Sequence, residues 1–284
     1  MEAKSLAFWT GAAYNIDNPI KHMGITKMEA EIPMKRILSL VLVAILAAVL
    51  CAGAFAEEKI LKVGMEGTYA PYTYHDDSGA LTGFEVDVAT AIGEKIGYEI
   101  EFVEGAWDSL FPALDAGTID VIMNQVTITE ERQESYDFSV PYIYTRPIVI
   151  VAADNADINS FEDLAGRKAA EGLTSNYNAL AQSYGAEIVG QDVFALALEL
   201  VKSGEADAAV NDELTYAYWQ VTTGDFDSTR IAAESEEATS SAVVLLKGRD
   251  ELRDAISAAI EELLADGAIT AISEKYFNID VSQN

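Results

Sequence analysis

The sequence predicts an α/β fold, and three features of it carry that expectation. Ile60-Leu61-Lys62-Val63-Gly64-Met65 is a short apolar run of strand length, bounded by polar residues. Phe84, Val88, Ala91, Ile92 and Ile96 then recur at helical spacing, one stripe facing a core. The same alternation of strand and helix restarts after Pro147, as expected of layered α/β architecture.

The first series places strands at 60–65, 98–103 and 119–123, with helices at 84–96 and 107–116, the second stopped by Gly117. His75-Asp76-Asp77-Ser78-Gly79 is turn chemistry at a solvated hairpin tip, not a metal cluster. Thr129 is placed to cap a short helix that starts near Glu130. The second series puts strands at 148–153, 168–171, 186–189 and 206–210. Its helices fall at 161–164, 176–184, 193–202 and 213–221. A strand at 242–246 precedes an amphipathic helix at 251–264, with Leu252, Ile256, Ile260 and Leu263 on one face and Asp266-Gly267 closing it. Residues 154–159 fail as a calcium loop, because the central glycine is missing and Ala165 stands where a bidentate Glu is needed.

Composition narrows the function. A formal charge of −29 argues against nucleic acid and anionic membrane surfaces as partners. Two histidines and one cysteine leave little for a transition-metal site or a disulfide scaffold, so neither metal nor cofactor is expected. Met34-Lys35-Arg36, the uncharged run 37–56 and its Ala54-Phe55-Ala56 end form a secretory signal peptide over 34–56. Export to the periplasm or the extracellular space follows. Two alternatives are an uncut membrane anchor, disfavoured by the small-residue end of the run, and lipid attachment at Cys51, disfavoured by Leu50 before it. Residues 1–33 sit awkwardly ahead of such a signal and read as an upstream extension of the gene model.

One stretch is more specific than these patterns. Asn124-Gln125-Val126-Thr127-Ile128-Thr129-Glu130-Glu131-Arg132 is followed by Tyr136-Asp137-Phe138-Ser139, Pro141 and Tyr142. It resembles the signature of family 3 solute-binding proteins, which serve polar amino-acid ABC importers. Gly83-Phe84-Glu85-Val86-Asp87-Val88, Trp107-Asp108, Pro112-Ala113-Leu114, Ala206-Asp207-Ala208 and Ser273-Glu274-Lys275-Tyr276-Phe277 agree in order and spacing. The resemblance implies a periplasmic-binding-protein-like (type II) fold with two α/β lobes and a two-crossing hinge. It implies lobe 1 at 58–143 plus 239–279, lobe 2 at 144–238, and a tail at 280–284.

A zwitterionic ligand needs a cation for its carboxylate and an anion for its ammonium. Arg132 suits the carboxylate, because a guanidinium makes two parallel hydrogen bonds to it. Thr127 can add a hydroxyl and a backbone N–H, and Gln125 a carbonyl for the ammonium. Ser175 and Asn176 open a helix whose free N–H groups suit an anion, although Thr174 departs from the glycine common in the family. The resemblance implies Asp212 as the partner of the α-ammonium, with Tyr69 and Trp107 as aromatic walls.

Glu66 ends the first strand at the cleft edge, where relatives that bind basic amino acids face a distal ammonium. Together with Asn176-Tyr177, these segments look most like cystine-binding proteins. The expected ligand is therefore L-cystine first, a basic amino acid second and glutamine third. The expected protein is a monomer that delivers its ligand to an ABC permease, with no catalytic residue. A dehydratase acting on arogenate or prephenate, and a sensor component, are the other functions this resemblance admits.

Overall fold

The computed structural model describes residues 59–283. Residues 1–33, the segment 34–56 read from sequence as a signal peptide, and Cys51 lie outside them. In chain order, the first lobe opens with β1 (Ile60–Met65), three short strands β2 (Thr68–Tyr69), β3 (Thr73–His75) and β4 (Leu81–Thr82), and helix Phe84–Ile96. It continues through β5 (Glu99–Glu104), helix Trp107–Asp115, β6 (Val121–Ile122), helix Glu130–Ser135 and β7 (Tyr136–Phe138). After β8 (Ile143–Thr145) the chain enters the second lobe. There it forms β9 (Pro147–Ala152), β10 (Lys168–Glu171), β11 (Glu187–Gly190), β12 (Ala208–Asp212) and β13 (Thr229–Glu234). It returns through β14 (Thr239–Ser241) to β15 (Val244–Leu246) and helices Asp250–Ala265 and Ala268–Phe277.

Each lobe holds a five-stranded sheet, in the orders β5-β1-β6-β15-β7 and β11-β10-β12-β9-β13. The two sheets share a plan. Three parallel strands are followed by a fourth that runs antiparallel and a fifth antiparallel to it. In both, the first of the three parallel strands in the chain (β1 and β10) lies between the other two, so the strand order reverses there. The carboxyl ends beside that reversal are where open α/β sheets leave a crevice.

Helices on both faces bury both sides of the strands, which is why β9 is a continuous apolar run. Ile148 and Ile150 pack on one face with Leu198 and Val201, while Val149 and Val151 pack on the other with Leu164 and Ala181. Helix Phe84–Ile96 starts at Gly83 with φ of 135°. A Cβ there would overlap the carbonyl oxygen of Tyr72, so only glycine lets this helix start close behind it.

Strands β8 and β14 pair antiparallel, Tyr144 opposite Ser240, and form the double strand through which the chain passes between lobes. The structure departs from the sequence reading in several places, among them the strand expected at 206–210, which lies at Ala208–Asp212, and the unanticipated short strands β7, β8 and β14. The strand expected at 119–123 shrinks to Val121–Ile122, although Ile119 and Met123 stay buried. Helix Ala268–Phe277 starts directly after Gly267, whose positive φ of 78° turns the chain without a loop. Edge strand β13 is also unanticipated, since Thr-Arg-Ile-Ala-Ala-Glu has little apolar content and bulges between Ile231 and Ala233. Among the described residues, no helix is long and apolar enough to cross a membrane.

Candidate ligand-binding site

The carboxyl ends of the parallel strands converge between the lobes. Glu66 follows β1, Asn124 and Gln125 lie just beyond β6, Glu171 ends β10 and Asp212 ends β12. A cavity there is walled on one side by Glu66, Tyr69, Trp107, Asn124 and Gln125. On the other side stand Glu171, Ser175, Asn176, Tyr177, Asp192 and Asn211. Six of the nine residues expected from sequence thus line one cavity. Thr127, Arg132 and Asp212 stand outside its lining.

Glu66 and Asn124 hold each other. The Glu66 backbone N–H donates to Asn124 Oδ1 at 2.9 Å, and Asn124 Nδ2 donates to Glu66 Oε2 at 2.7 Å. Burial is the main force on this carboxyl and raises it to about 7 against Asn124's opposing bond, with Asp192 and Asp108 adding to the rise. Gln125 adopts a φ of 55°, and its backbone N–H donates to Glu85 Oε1 at 2.7 Å. Its Nε2 donates to Thr145 Oγ1 in β8 at 3.1 Å, and Ser241 in β14 donates to its carbonyl at 3.2 Å. The cleft residue is therefore tied to both crossing strands.

Arg132 begins as a helix residue: Thr129 caps its turn by accepting the Arg132 backbone N–H at 3.2 Å. Its guanidinium carbon lies 5.4 Å from the Trp107 ring centre and 5.5 Å from that of Phe111. One amino group donates to the Thr127 carbonyl at 2.9 Å and the other to the Thr174 carbonyl, across the cleft, at 3.3 Å. Arg132 faces a groove that adjoins the cavity and shares Ser175 and Asn176 with it. Burial lowers its pKa to about 10, so it keeps its charge at neutral pH.

Asp212 is fully buried and caps helix Glu213–Thr223. Its Oδ1 accepts the Thr215 backbone N–H at 2.8 Å and the Tyr72 hydroxyl at 2.9 Å. Its Oδ2 accepts from Thr215 Oγ1 at 2.8 Å and has the Tyr69 hydroxyl at 2.8 Å. Ser175 Oγ accepts the Tyr177 backbone N–H at 3.1 Å, so this hydroxyl serves the helix start.

Among the described residues, three buried polar atoms have no hydrogen-bond partner: Trp107 Nε1, Thr127 Oγ1 and Tyr177 Oη. Unpaired buried polar groups are rare in folded proteins, and here two of the three belong to residues that line the cavity, Trp107 and Tyr177. Among the described residues, no cluster of histidine, cysteine or carboxylate side chains could hold a metal. Sequence reasoning missed Glu171, Tyr72 and Tyr177. The first was legible as a charge at the end of an alanine strand just before Gly172, at the carboxyl edge of the sheet.

Residues 61–279 match the family model described as bacterial extracellular solute-binding proteins, family 3. The L-cystine-binding protein TcyA of Bacillus subtilis is 40% identical over 225 residues, 79% of this chain and 83% of the relative. A solved ancestral arginine-binding protein bound to glutamine is 35% identical with a TM-score of 0.72, over 78% of this chain and 98% of that one. The L-cystine solute receptor of Neisseria gonorrhoeae, in its unliganded open conformation, is 39% identical with a TM-score of 0.55, over 80% and 96%. The chain belongs to family 3 of the bacterial extracellular solute-binding proteins.

Proposed function

We propose that this protein captures a free amino acid between its lobes outside the cytoplasmic membrane and delivers it to an ABC importer, with export directed by residues 34–56. The observation that carries the reading is a cavity lined by both lobes whose wall holds two residues with unpaired buried polar atoms, Trp107 Nε1 and Tyr177 Oη. A ligand that pairs with groups on both lobes favours the closed arrangement by its differential contacts. L-cystine is the preferred ligand, a basic amino acid the second and glutamine the third. The similarity to TcyA and to an arginine-binding protein bound to glutamine supports this set. Calorimetric titration with L-cystine, L-arginine and L-glutamine tests it, cystine binding tightest. A protein that binds none of the three would overturn the reading.

One observation favours a second reading, an arogenate or prephenate dehydratase. Glu66, with a carboxyl raised to about 7, and buried Glu171 both line the cavity and can hold a proton there. Incubation with arogenate and prephenate decides: formation of aromatic products establishes the enzyme, and intact substrate leaves the binder.

A further inference from the structure

Glu171 ends β10 after two buried alanines, and only 4% of it is exposed. A carboxyl buried so deeply is ordinarily held by several donors. Here the Val210 backbone N–H in neighbouring β12 donates to Oε1 at 2.5 Å, and this is the side chain's single hydrogen bond among the described residues. The other oxygen has no protein partner, although the residue forms part of the cavity wall. On the same wall Tyr177, 5% exposed, has an unpaired hydroxyl. Asp212 differs in both respects, since it is surrounded by four donors and is absent from the wall.

We propose that Glu171 is a ligand-contacting, specificity-determining residue that accepts an N–H donor of the bound amino acid on the lobe 2 side, opposite Glu66 on lobe 1. The proposal rests on the amino-acid reading and deepens it. The wall carries three carboxyl side chains, Glu66, Glu171 and Asp192, and no lysine, arginine or histidine. A ligand with N–H groups at both ends matches such a wall, as a diamino, guanidino or amide amino acid does. One with an anionic side chain does not, because a carboxylate would meet uncompensated like charge.

Burial pushes the Glu171 carboxyl well above the usual carboxylate range, and the bond from Val210 offsets only part of this. The titratable groups that share its cavity are Glu66, Tyr69, Tyr177 and Asp192. A ligand ammonium that docks on the protonated acid draws it into its ionised form, and the proton passes to the buffer.

The test is calorimetry on wild type, Glu171→Gln and Glu171→Met with L-cystine, L-arginine and L-glutamine, at pH 7 in two buffers of different ionisation heat. Glutamine retains an oxygen for the Val210 N–H, and methionine removes the buried polar group altogether. Either variant that melts cooperatively is informative. The expected result is at least a tenfold loss of affinity for the preferred ligand, with less proton release than wild type. That second readout is one a merely structural role would not move. Affinity within threefold of wild type and unchanged proton release overturn the proposal. A wild type that binds none of the three amino acids overturns the amino-acid reading instead, and this inference with it.

Discussion

The Tyr72 hydroxyl of the first lobe donates a 2.9 Å hydrogen bond to Asp212, at the carboxyl end of β12 in the second. Tyr69 reaches the other oxygen of the same carboxyl at 2.8 Å, and its ring lies 5.3 Å from that of Tyr72. Two tyrosines from one lobe thus clasp an acid from the other. Nearby, Tyr74 and Tyr218 meet across the lobes with ring centres 5.8 Å apart.

Replacing Tyr72 by phenylalanine should therefore weaken the closed arrangement. Asp212 would lose one donor while remaining buried, a cost of about 1–3 kcal/mol. Urea denaturation of the free protein should show that loss, and small-angle scattering a larger radius of gyration. Equal stability and an unchanged profile would mean that the clasp contributes nothing.

Arg132 should carry binding through both charge and stacking. Arg132→Ala removes the cation between Trp107 and Phe111, and losing one side of a desolvated charged contact costs about 2–5 kcal/mol. That corresponds to tens- to thousands-fold in Kd. Arg132→Lys should recover only part of it, because an ammonium cannot reproduce the planar double donor to Thr127 and Thr174. Titration with the preferred amino acid measures both variants, and affinity within threefold of wild type in Arg132→Ala would remove Arg132 from the site.

Glu66 should select for a distal ammonium. Glu66→Gln preserves an oxygen and an amide near Asn124 but cannot become an anion. Affinity for a ligand with a second ammonium should fall at least tenfold, while glutamine binding should change little. Equal losses for both ligands would point to a distorted cleft in place of lost charge pairing.

Stability should fall as pH rises from 5 to 8. Burial raises Glu66, Glu85 and Glu213 from 4.5 to about 7, and holds Glu171 well above the usual carboxylate range. Between those values the native protein holds protons that the unfolded chain has released. The contributions of Glu66, Glu85 and Glu213 are therefore complete below pH 4.5 and are lost as pH climbs through about 7. The self-repulsion of a chain with a formal charge of −29 acts in the same direction. Thermal melts across this range should show the decline. Glu85→Gln, which can still bond to Gln125 and Tyr142, should flatten it. A midpoint that rises toward pH 8 would contradict these assignments.

Much of this architecture was readable before any coordinates. Phe84, Val88 and Ile92 on one helical stripe, and the unbroken apolar run of β9, report burial through periodicity alone. Thr129 before Glu130 announced a capped turn, and the turn is capped. Helix Ala268–Phe277 was not legible as a helix, because Gly267 marks an end equally well whether a loop or another helix follows. Edge strand β13 was missed because one neighbour, β9, supplies what its own composition lacks.

By itself the sequence determined most of the strand–helix order, the family and the strand ends near which Glu66, Gln125 and Asp212 stand, since local spacing and motif residues encode these directly. Only the tertiary structure decided what those side chains touch. Tyr69 and Asp212 are 143 positions apart, and their pairing depends on how two separately wound sheets face each other; Gln125 and Ser241, 116 apart, meet only because the returning chain packs back on the first lobe. The state of the carboxyls was decided there too. Sequence position can place Glu85 and Glu171 on their elements, but it is burial among apolar neighbours drawn from distant segments that makes their charged form costly.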